Sequence, residues 1–538
     1  MQRKILLLVF IALLTIPLVN FGQFTNDVNL NTRVSVLADD VTGVTGVAVT
    51  ESGKTYIAYL DGYFELKLQL LDANGNKVFD SAGLVLETAA TSYSVAKSTQ
   101  IITDAAENAL VAFWNWDAGD IKIFSVSPAG QITDTMLCGT GSIPVLEPLP
   151  SGAFILAFSN GDSTIIKKIT STAGVLSAEY TRRVNYLCRD MVALPNGNFY
   201  IVSFDLLPNP GYAYTFANYI DGGTGNPLWA NWTACSSNTN TGLYTANVAC
   251  CVDNAKYLYV ANTYFSGMNR AAFAQRIDST GNALWGINGY TLINDGVFNY
   301  QQRIFTLYDN STNELLCLIN GQNVNDGSST NKICYQKISQ SGTIVLPVSG
   351  IELAGQSTNA GLFGMGFCGD DITFTYISGI TNNIMASKIS PDGSLLWSPN
   401  PLPLNTTANL KPWVDALIGE IRNDNIIVVF NETRNGHSGV YAQKAGCDGQ
   451  LPTGIRKPES EPCLIALYPN PANEKITLEY NNQNNSTISV YGITGKLMLQ
   501  SEVSGAKIAL DVSDLPQGLY MITISNPRQT VLTKFVKE

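Results

Sequence analysis

The sequence predicts an all-β protein, an eight-bladed β-propeller followed by a small C-terminal β-sandwich. Three observations carry that expectation. A strand–turn–strand unit, FAQRIDSTGNALWG from Phe273 in its fullest form, recurs eight times along the 538 residues. Its turn glycines, Gly75, Gly130, Gly174, Gly225, Gly281, Gly342, Gly393 and Gly449, lie 44 to 61 residues apart, which is the period of a propeller blade. One strand of each unit is apolar on both faces, so both faces must be covered. Composition agrees: charged residues are only 14%, against 46 glycines, 24 tyrosines and 21 phenylalanines, a profile of short strands and tight turns.

The chain opens on MQRKILLLVFIALLTIPLVNFGQ, in which Arg3 and Lys4 precede an apolar run from Ile5 to Val19. That run is shorter than a membrane-spanning helix needs, and small or polar residues follow it, so residues 1–22 are expected to be a secretory signal peptide. Export permits disulfides among the ten cysteines. Cys317 and Cys334, on strands expected to be neighbours, are the expected pair. A net charge of -11 without basic clusters argues against nucleic acid as a partner.

Within each unit the second strand is the doubly apolar one: TYIAYL from Thr55, LVAFW from Leu110, FILAF from Phe154, YIVSF from Tyr200, YLYVA from Tyr257, LLCLI from Leu315, TFTYI from Thr373 and IIVVF from Ile426. An antiparallel strand with one wet face alternates. Strands stacked between blades do not. The third strand alternates before its turn, as in ELKLQLLD from Glu65 and ICYQKIS from Ile333. The turn itself pairs a leading Asp, whose carboxylate bonds local N–H groups, with a closing Gly that accepts positive φ. Phe79, Trp229, Trp285 and Trp397 then open the fourth strand as blade-to-blade packing residues. The eighth unit ends at LPTG without a fourth strand, and NLNTRVSVLADD from Asn29 has the look of one. The expected propeller therefore spans residues 24–453, closed by the N-terminal strand, which leaves no sheet edge unpaired at the seam.

Asp221 to Trp229 and Asp278 to Trp285 resemble the tryptophan-docking repeat of quinoprotein-like eight-bladed propellers. The adjacent Cys250-Cys251 is similar to the vicinal disulfide of quinoprotein alcohol dehydrogenases. No accompanying set of calcium and catalytic carboxylates can be placed around it, so no cofactor is expected and the two cysteines read as buried thiols.

Four antiparallel strands per blade put the first-to-second and third-to-fourth connections on one face, where they are tight, and the longer, varied ones on the other. Binding residues gather on loops held by a rigid scaffold. The candidates there are Trp114, Trp116, Asp117, Tyr212, Tyr214, Tyr264, Phe265, Asn323, Asn325 and Trp413, whose rings can cover sugar C–H surfaces and whose amides donate and accept. They suit a glycan or a protein ligand. Catalysis has thin support: the single histidine, His437, excludes His-based triads and multi-histidine metal sites. Asp117, Asp120, Asp205 and Glu432 keep a carboxylate-based hydrolase as the alternative.

Past Leu451, prolines 452, 458 and 462 with scattered charge mark a linker over residues 454–463. Residues 464–538 then carry Tyr468-Pro469-Asn470-Pro471, the run Tyr491 to Lys496 with Gly495, Leu515 to Tyr520 with Gly518, and a Lys-bearing last strand. These resemble the type A C-terminal sorting domain of Bacteroidota type IX secretion cargo. The resemblance implies recognition by the outer-membrane translocon, cleavage in the linker by a surface sortase, and a destination in the medium or on the outer cell surface, reached through the periplasm with no membrane span. The expected function is an exported binding or adhesion module. A secreted carbohydrate-active hydrolase is the alternative, and a structural surface-layer component is a third reading.

Overall fold

A strand that is apolar on both sides must be covered on both, and the sheets of this chain achieve it by stacking face to face. The computed structural model describes residues 24–36, 41, 43–62, 64–88, 99–206, 212–237, 240–241, 248–266, 269–294, 300–322, 331–357, 361–378, 382–407, 417–452, 466–479, 486–492, 496–505, 507–525 and 530–538. They fall into two compact units that part between residues 452 and 466. No helix occurs among the described residues.

The first unit is an eight-bladed β-propeller. Its blades cover residues 43–87, 99–140, 142–185, 187–241, 249–291, 300–357, 361–405 and 417–446, each an antiparallel sheet with strands in chain order. A single parallel bridge, Arg270 to Tyr300, ties blade 5 to blade 6. The first strand of every blade touches those of both neighbours, and Leu417–Arg422 of blade 8 touches Gly43–Val49 of blade 1, so the ring is closed. Blade 8 has only three strands of its own. Its fourth is Thr32–Arg33, which aligns Thr32 with Ala442 and Arg33 with Tyr441.

The second strands are covered as their sequence demands: Thr55–Leu60 and Ala109–Asn115 are buried throughout. The alternation of the third strands has a different meaning, because Leu66–Leu71 is also buried at every position. Lys67 is satisfied there by Asp61, 2.9 Å away. The Gln69 carboxamide donates to Asp80 O at 2.9 Å and accepts the N–H groups of Leu70 and Phe79. Gln275 repeats the arrangement, donating to Gly286 O at 2.7 Å and accepting from Trp285 N at 3.0 Å. These buried amides take up backbone groups where the chain swings wide into the fourth strand, so Gln69 and Gln275 are dry, whereas Ser163–Thr172 of blade 3 keeps part-exposed positions along its length.

All eight marker glycines have positive φ, and each turn is seated against the preceding blade. A Cβ on Gly281 would lie 2.9 Å from the Trp229 ring, whose indole N–H donates to Ser279 O at 3.0 Å. Trp285 and Trp397 donate in the same way to Gln340 O at 3.4 Å and Cys447 O at 3.3 Å. At the seam Phe24 takes this role: it is 1% exposed, donates its N–H to Asn74 O at 2.7 Å, and presses its ring to 2.8 Å from where a Gly75 Cβ would sit. A buried network holds the rest of the strap. Arg434 lies 3.9 Å over the Tyr441 ring and donates to Glu432 at 2.6 Å and to Asn31 Oδ1 at 2.8 Å. Asn405 also donates to Asn31, at 2.6 Å, and Gln443 to Thr25 O at 2.8 Å.

The expected Cys317–Cys334 bond is not formed. Cys317 stands opposite Gln336 and Cys334 opposite Ile319, a diagonal relation whose span, about 7–8 Å, exceeds the reach of a disulfide. The bond instead joins Cys368 of blade 7 to Cys447 of blade 8, with Cα atoms 5.5 Å apart.

The second unit is a β-sandwich. A sheet of Ala466–Tyr468, Lys475–Glu479 and Lys507–Asp511 faces one of Leu497–Val503, Ser486–Gly492, Gly518–Ser525 and Thr530–Lys537 across a core that includes Ile476, Leu478, Ile488, Val490, Ile522 and Phe535. The Tyr468 to Pro471 motif clasps the last strand: Val536 N–H donates to Asn470 Oδ1 at 2.9 Å and Ala472 N–H to Val536 O at 2.8 Å. Tyr520 donates to Pro516 O at 2.7 Å and stacks on Phe535.

The disulfide closes a loop of 79 residues at the joint next to the seam. Its replacement in a Cys368→Ala/Cys447→Ala variant is expected to lower the urea-unfolding free energy of the propeller by about 2–4 kcal/mol. An unchanged midpoint would contradict a structural role for the bond.

Candidate functional site

The hairpin joining the second and third strands of blade 2 opens onto the face of longer loops. Ala109–Asn115 carries Trp114 to its end, and the turn that follows presents Trp116 and Asp117 before Gly119 bends the chain back at φ 65°. Trp114 is 4% exposed and Trp116 41%. Their rings meet edge to face with centroids 5.1 Å apart, so the buried indole props the exposed one.

Beside them lies a cavity of about 290 Å³, completed by Thr140, Gly141 and Ser142 between blades 2 and 3 and by Ser159, Asn160 and Gly161 of the blade 3 hairpin. Its walls are set by backbone bonds, Gly141 N–H to Gly119 O at 3.0 Å, and by Asn160, which donates to Thr140 O at 2.7 Å and accepts from Arg183 at 2.8 Å. Gly141 admits no side chain, since a Cβ there would lie 2.4 Å from the Phe158 ring. One wall is an indole face. The others offer hydroxyls and an amide.

The remaining candidates are distributed over other blades. Tyr214, half-buried, stands opposite Asp205 in blade 4, where Tyr212 aligns with Thr241. Tyr264 and Phe265 align with Ala271 and Arg270 in blade 5. Asn323, Asn325 and Trp413 lie outside the described residues. Tyr212 and Tyr214 share the blade 4 hairpin and Tyr264 and Phe265 the blade 5 hairpin, but among the described candidates the cavity is lined by Trp114 and Trp116. Sequence reasoning missed a second aromatic group: Tyr186, in the connection from blade 3 to blade 4, stacks on Phe216 at 4.7 Å and meets Trp232 edge-on at 5.1 Å.

Two of the four candidate carboxylates share one hairpin and the other two lie apart. Asp117 and Asp120 belong to blade 2, Asp205 to blade 4 and Glu432 to blade 8, and no two of these blades adjoin. Glu432 is wholly buried and bonded to Arg434 and Thr407. His437 is exposed at the start of its strand.

Two further acids on the inner strands were not anticipated. Glu147 of blade 3 accepts the Ala193 N–H of blade 4 at 2.7 Å, and Asp190 of blade 4 accepts the Cys250 N–H of blade 5 at 2.9 Å. Burial pushes Glu147 up to about 7, with a smaller contribution from the charge of Asp190, and pushes Asp190 itself up to about 6. Cys250 and Cys251 sit in a regular strand opposite Val260 and Tyr259 and pack into different clusters, one toward blade 4 and one toward blade 6. Adjacent residues of a strand point to opposite faces. The resemblance to a vicinal disulfide is therefore not realised, and burial raises both thiols.

Residues 466–538 match the secretion system C-terminal sorting domain family. The last unit is thus a type IX sorting domain, and the chain is exported to the cell surface or beyond. No curated protein matches the chain. Among solved structures the chain is similar to the Dos1 propeller, at 8% identity over 80% of this chain and 96% of that one, TM-score 0.45. It is similar to the polysaccharide lyase Uly1, at 9% identity over 80% and 98%, TM-score 0.40. A third is the β-propeller domain of the Trilobed protease from Pyrococcus furiosus, at 8% identity over 66% and 95%, TM-score 0.36. These likenesses are of fold alone.

The raised acids give a signed pH dependence. The folded protein holds its Glu147 and Asp190 protons to higher pH than the unfolded chain, whose carboxylates ionise near 4. Their contribution to stability is therefore full below about pH 4 and declines until about pH 7. Thermal unfolding is expected at a lower temperature at pH 8 than at pH 5. In Glu147→Gln, which keeps an oxygen for Ala193, that difference should shrink; a slope equal to wild type would refute the assignment.

Proposed function

We propose that the propeller is an exported binding module that holds a glycan at the cavity between blades 2 and 3, delivered by its sorting domain. The part-exposed Trp116 indole carries this reading, because an aromatic ring beside Thr140, Ser142, Ser159 and Asn160 offers an apolar surface for a sugar ring and partners for its hydroxyls. A cavity of about 290 Å³ is at the small end for ligand sites. It suits one or two sugar units of a longer chain rather than an engulfed cofactor. Tyr212, Tyr214, Tyr264 and Phe265, with Asn323, Asn325 and Trp413, would extend the contact along the same face.

The path of the chain is consistent with display. Phe24, Leu451 and Pro452 line one cavity with Asn74 and Lys444 among the tight turns, so both ends of the propeller segment leave from the face opposite the tryptophans. A leader over residues 1–22 would be removed on one side of that point and the linker over 454–463 cut on the other. Hydrolysis, the rival reading, calls for two carboxylates about 5 to 10 Å apart; Asp117 and Asp120 share the blade 2 hairpin while Asp205 and Glu432 lie on other blades, and the assay below separates the two readings.

A glycan array probed with the purified full chain should show binding that Trp116→Ala weakens about tenfold or more at an unchanged unfolding temperature. Binding indifferent to Trp116 would contradict the site. Release of reducing ends from the bound polysaccharide, measured in parallel, would replace the binding role with the hydrolytic one.

A further inference from the structure

The sorting domain carries an apolar strip where a sandwich should be polar. Each sheet of a two-layer sandwich turns one face to the core and the other to water. The sheet containing Lys475–Glu479 and Lys507–Asp511 obeys this: its outer face shows Lys475, Thr477, Glu479, Lys507 and Asp511, with Lys507 paired to Glu479 at 2.5 Å and to the Tyr468 hydroxyl at 2.8 Å. The other sheet departs from it. Leu497 is 45% exposed, Met498 37% and Met521 42%.

Register puts these residues together. Tyr491 stands opposite Leu497 on one side and Met521 on the other, and Met521 stands opposite Lys534, so Leu497, Tyr491, Met521 and Lys534 form one row across four strands. Val490 aligns with Leu499 and Tyr491 with Leu497, which leaves Met498 as the extra residue of a bulge, turned out beside the row. A bulge in an edge strand ends regular pairing and re-aims a side chain. Exposed Lys496 and half-buried Lys534 bound the strip. Two methionines make it adaptable in shape.

We propose that this strip is the surface by which the sorting domain docks on the type IX secretion machinery, against a partner presenting an apolar groove with an acidic rim. The matched family assigns this domain to a secretion system, and the strip is the departure from ordinary sandwich patterning on its described surface. The flanking lysines fix the sign of the partner's rim. On the opposite sheet Lys507 is already paired with Glu479.

The full chain is expressed in a bacterium with a type IX system, and the propeller is quantified in the medium, on the surface and in the periplasm. Leu497→Ser/Met521→Ser should cut export about fivefold or more, with periplasmic accumulation and a wild-type unfolding temperature; unchanged export overturns the proposal. Thr477→Ser on the opposite sheet should export normally, and a loss equal to that of the double variant would overturn it too. A photocrosslinking residue at Met498 decides the matter should the double variant unfold. An adduct with an identified outer-membrane component of the machinery supports the docking surface. No adduct, or one only with a second copy of the chain, overturns it.

Discussion

The ring depends on a contact made at every joint: a turn with no side chain at its closing glycine, pressed onto a residue of the blade or strap before it, most often an aromatic ring. The glycine is required twice over, for its positive φ and because a Cβ would collide with the seated residue, as at Gly281 against Trp229. An indole adds a donor to the turn carbonyl, so Trp229, Trp285 and Trp397 join packing to a directed bond. Strands buried on both faces follow from this contact, since it holds blades at stacking distance. The longer connections lie on the far face.

Closure reuses the same contact with a chain segment from elsewhere. Phe24 seats on Gly75 as Trp229 seats on Gly281, and Thr32–Arg33 completes blade 8. The strap buries Phe24 and Val34 against blades 8 and 1, and a polar network around Asn31, Arg434 and Glu432 holds its register. The Cys368–Cys447 bond lies at the adjoining joint and adds a covalent tie, of the kind an oxidising compartment permits, to the apolar cluster packed there. Glu432 illustrates how closure competes with chemistry: a carboxylate on the loop-rich side is spent on holding the strap.

What was legible in the sequence was what local rules encode. A turn closed by glycine marks every blade, doubly apolar strands declare stacking, and a missing last strand with a spare one at the start declares the seam. The sorting domain was legible because its motifs are short and ordered. Less legible was anything set by pairing across strands. Cys317 and Cys334 lie on adjacent strands but diagonally, a register no spacing reveals. Gln69 and Gln275 read as wet-face residues and are buried amides. Of the cavity, only Trp114, Trp116 and Asp117 stood out beside it; Thr140 to Ser142 and Ser159 to Gly161 are small residues that look like ordinary turns until two blades place them together. Glu147 and Asp190 were overlooked because their burial comes from the ring, not from their own strands.

Calorimetric unfolding of Phe24→Ala beside Trp229→Ala tests most directly whether the seam is held by the same contact as the interior joints. Both variants are expected to lose about 3–5 kcal/mol and to unfold their propeller in one cooperative transition below that of wild type. A Phe24→Ala protein that unfolds with wild-type midpoint and enthalpy would show that the strap does not seat on blade 1, and would contradict the account of how the ring is closed.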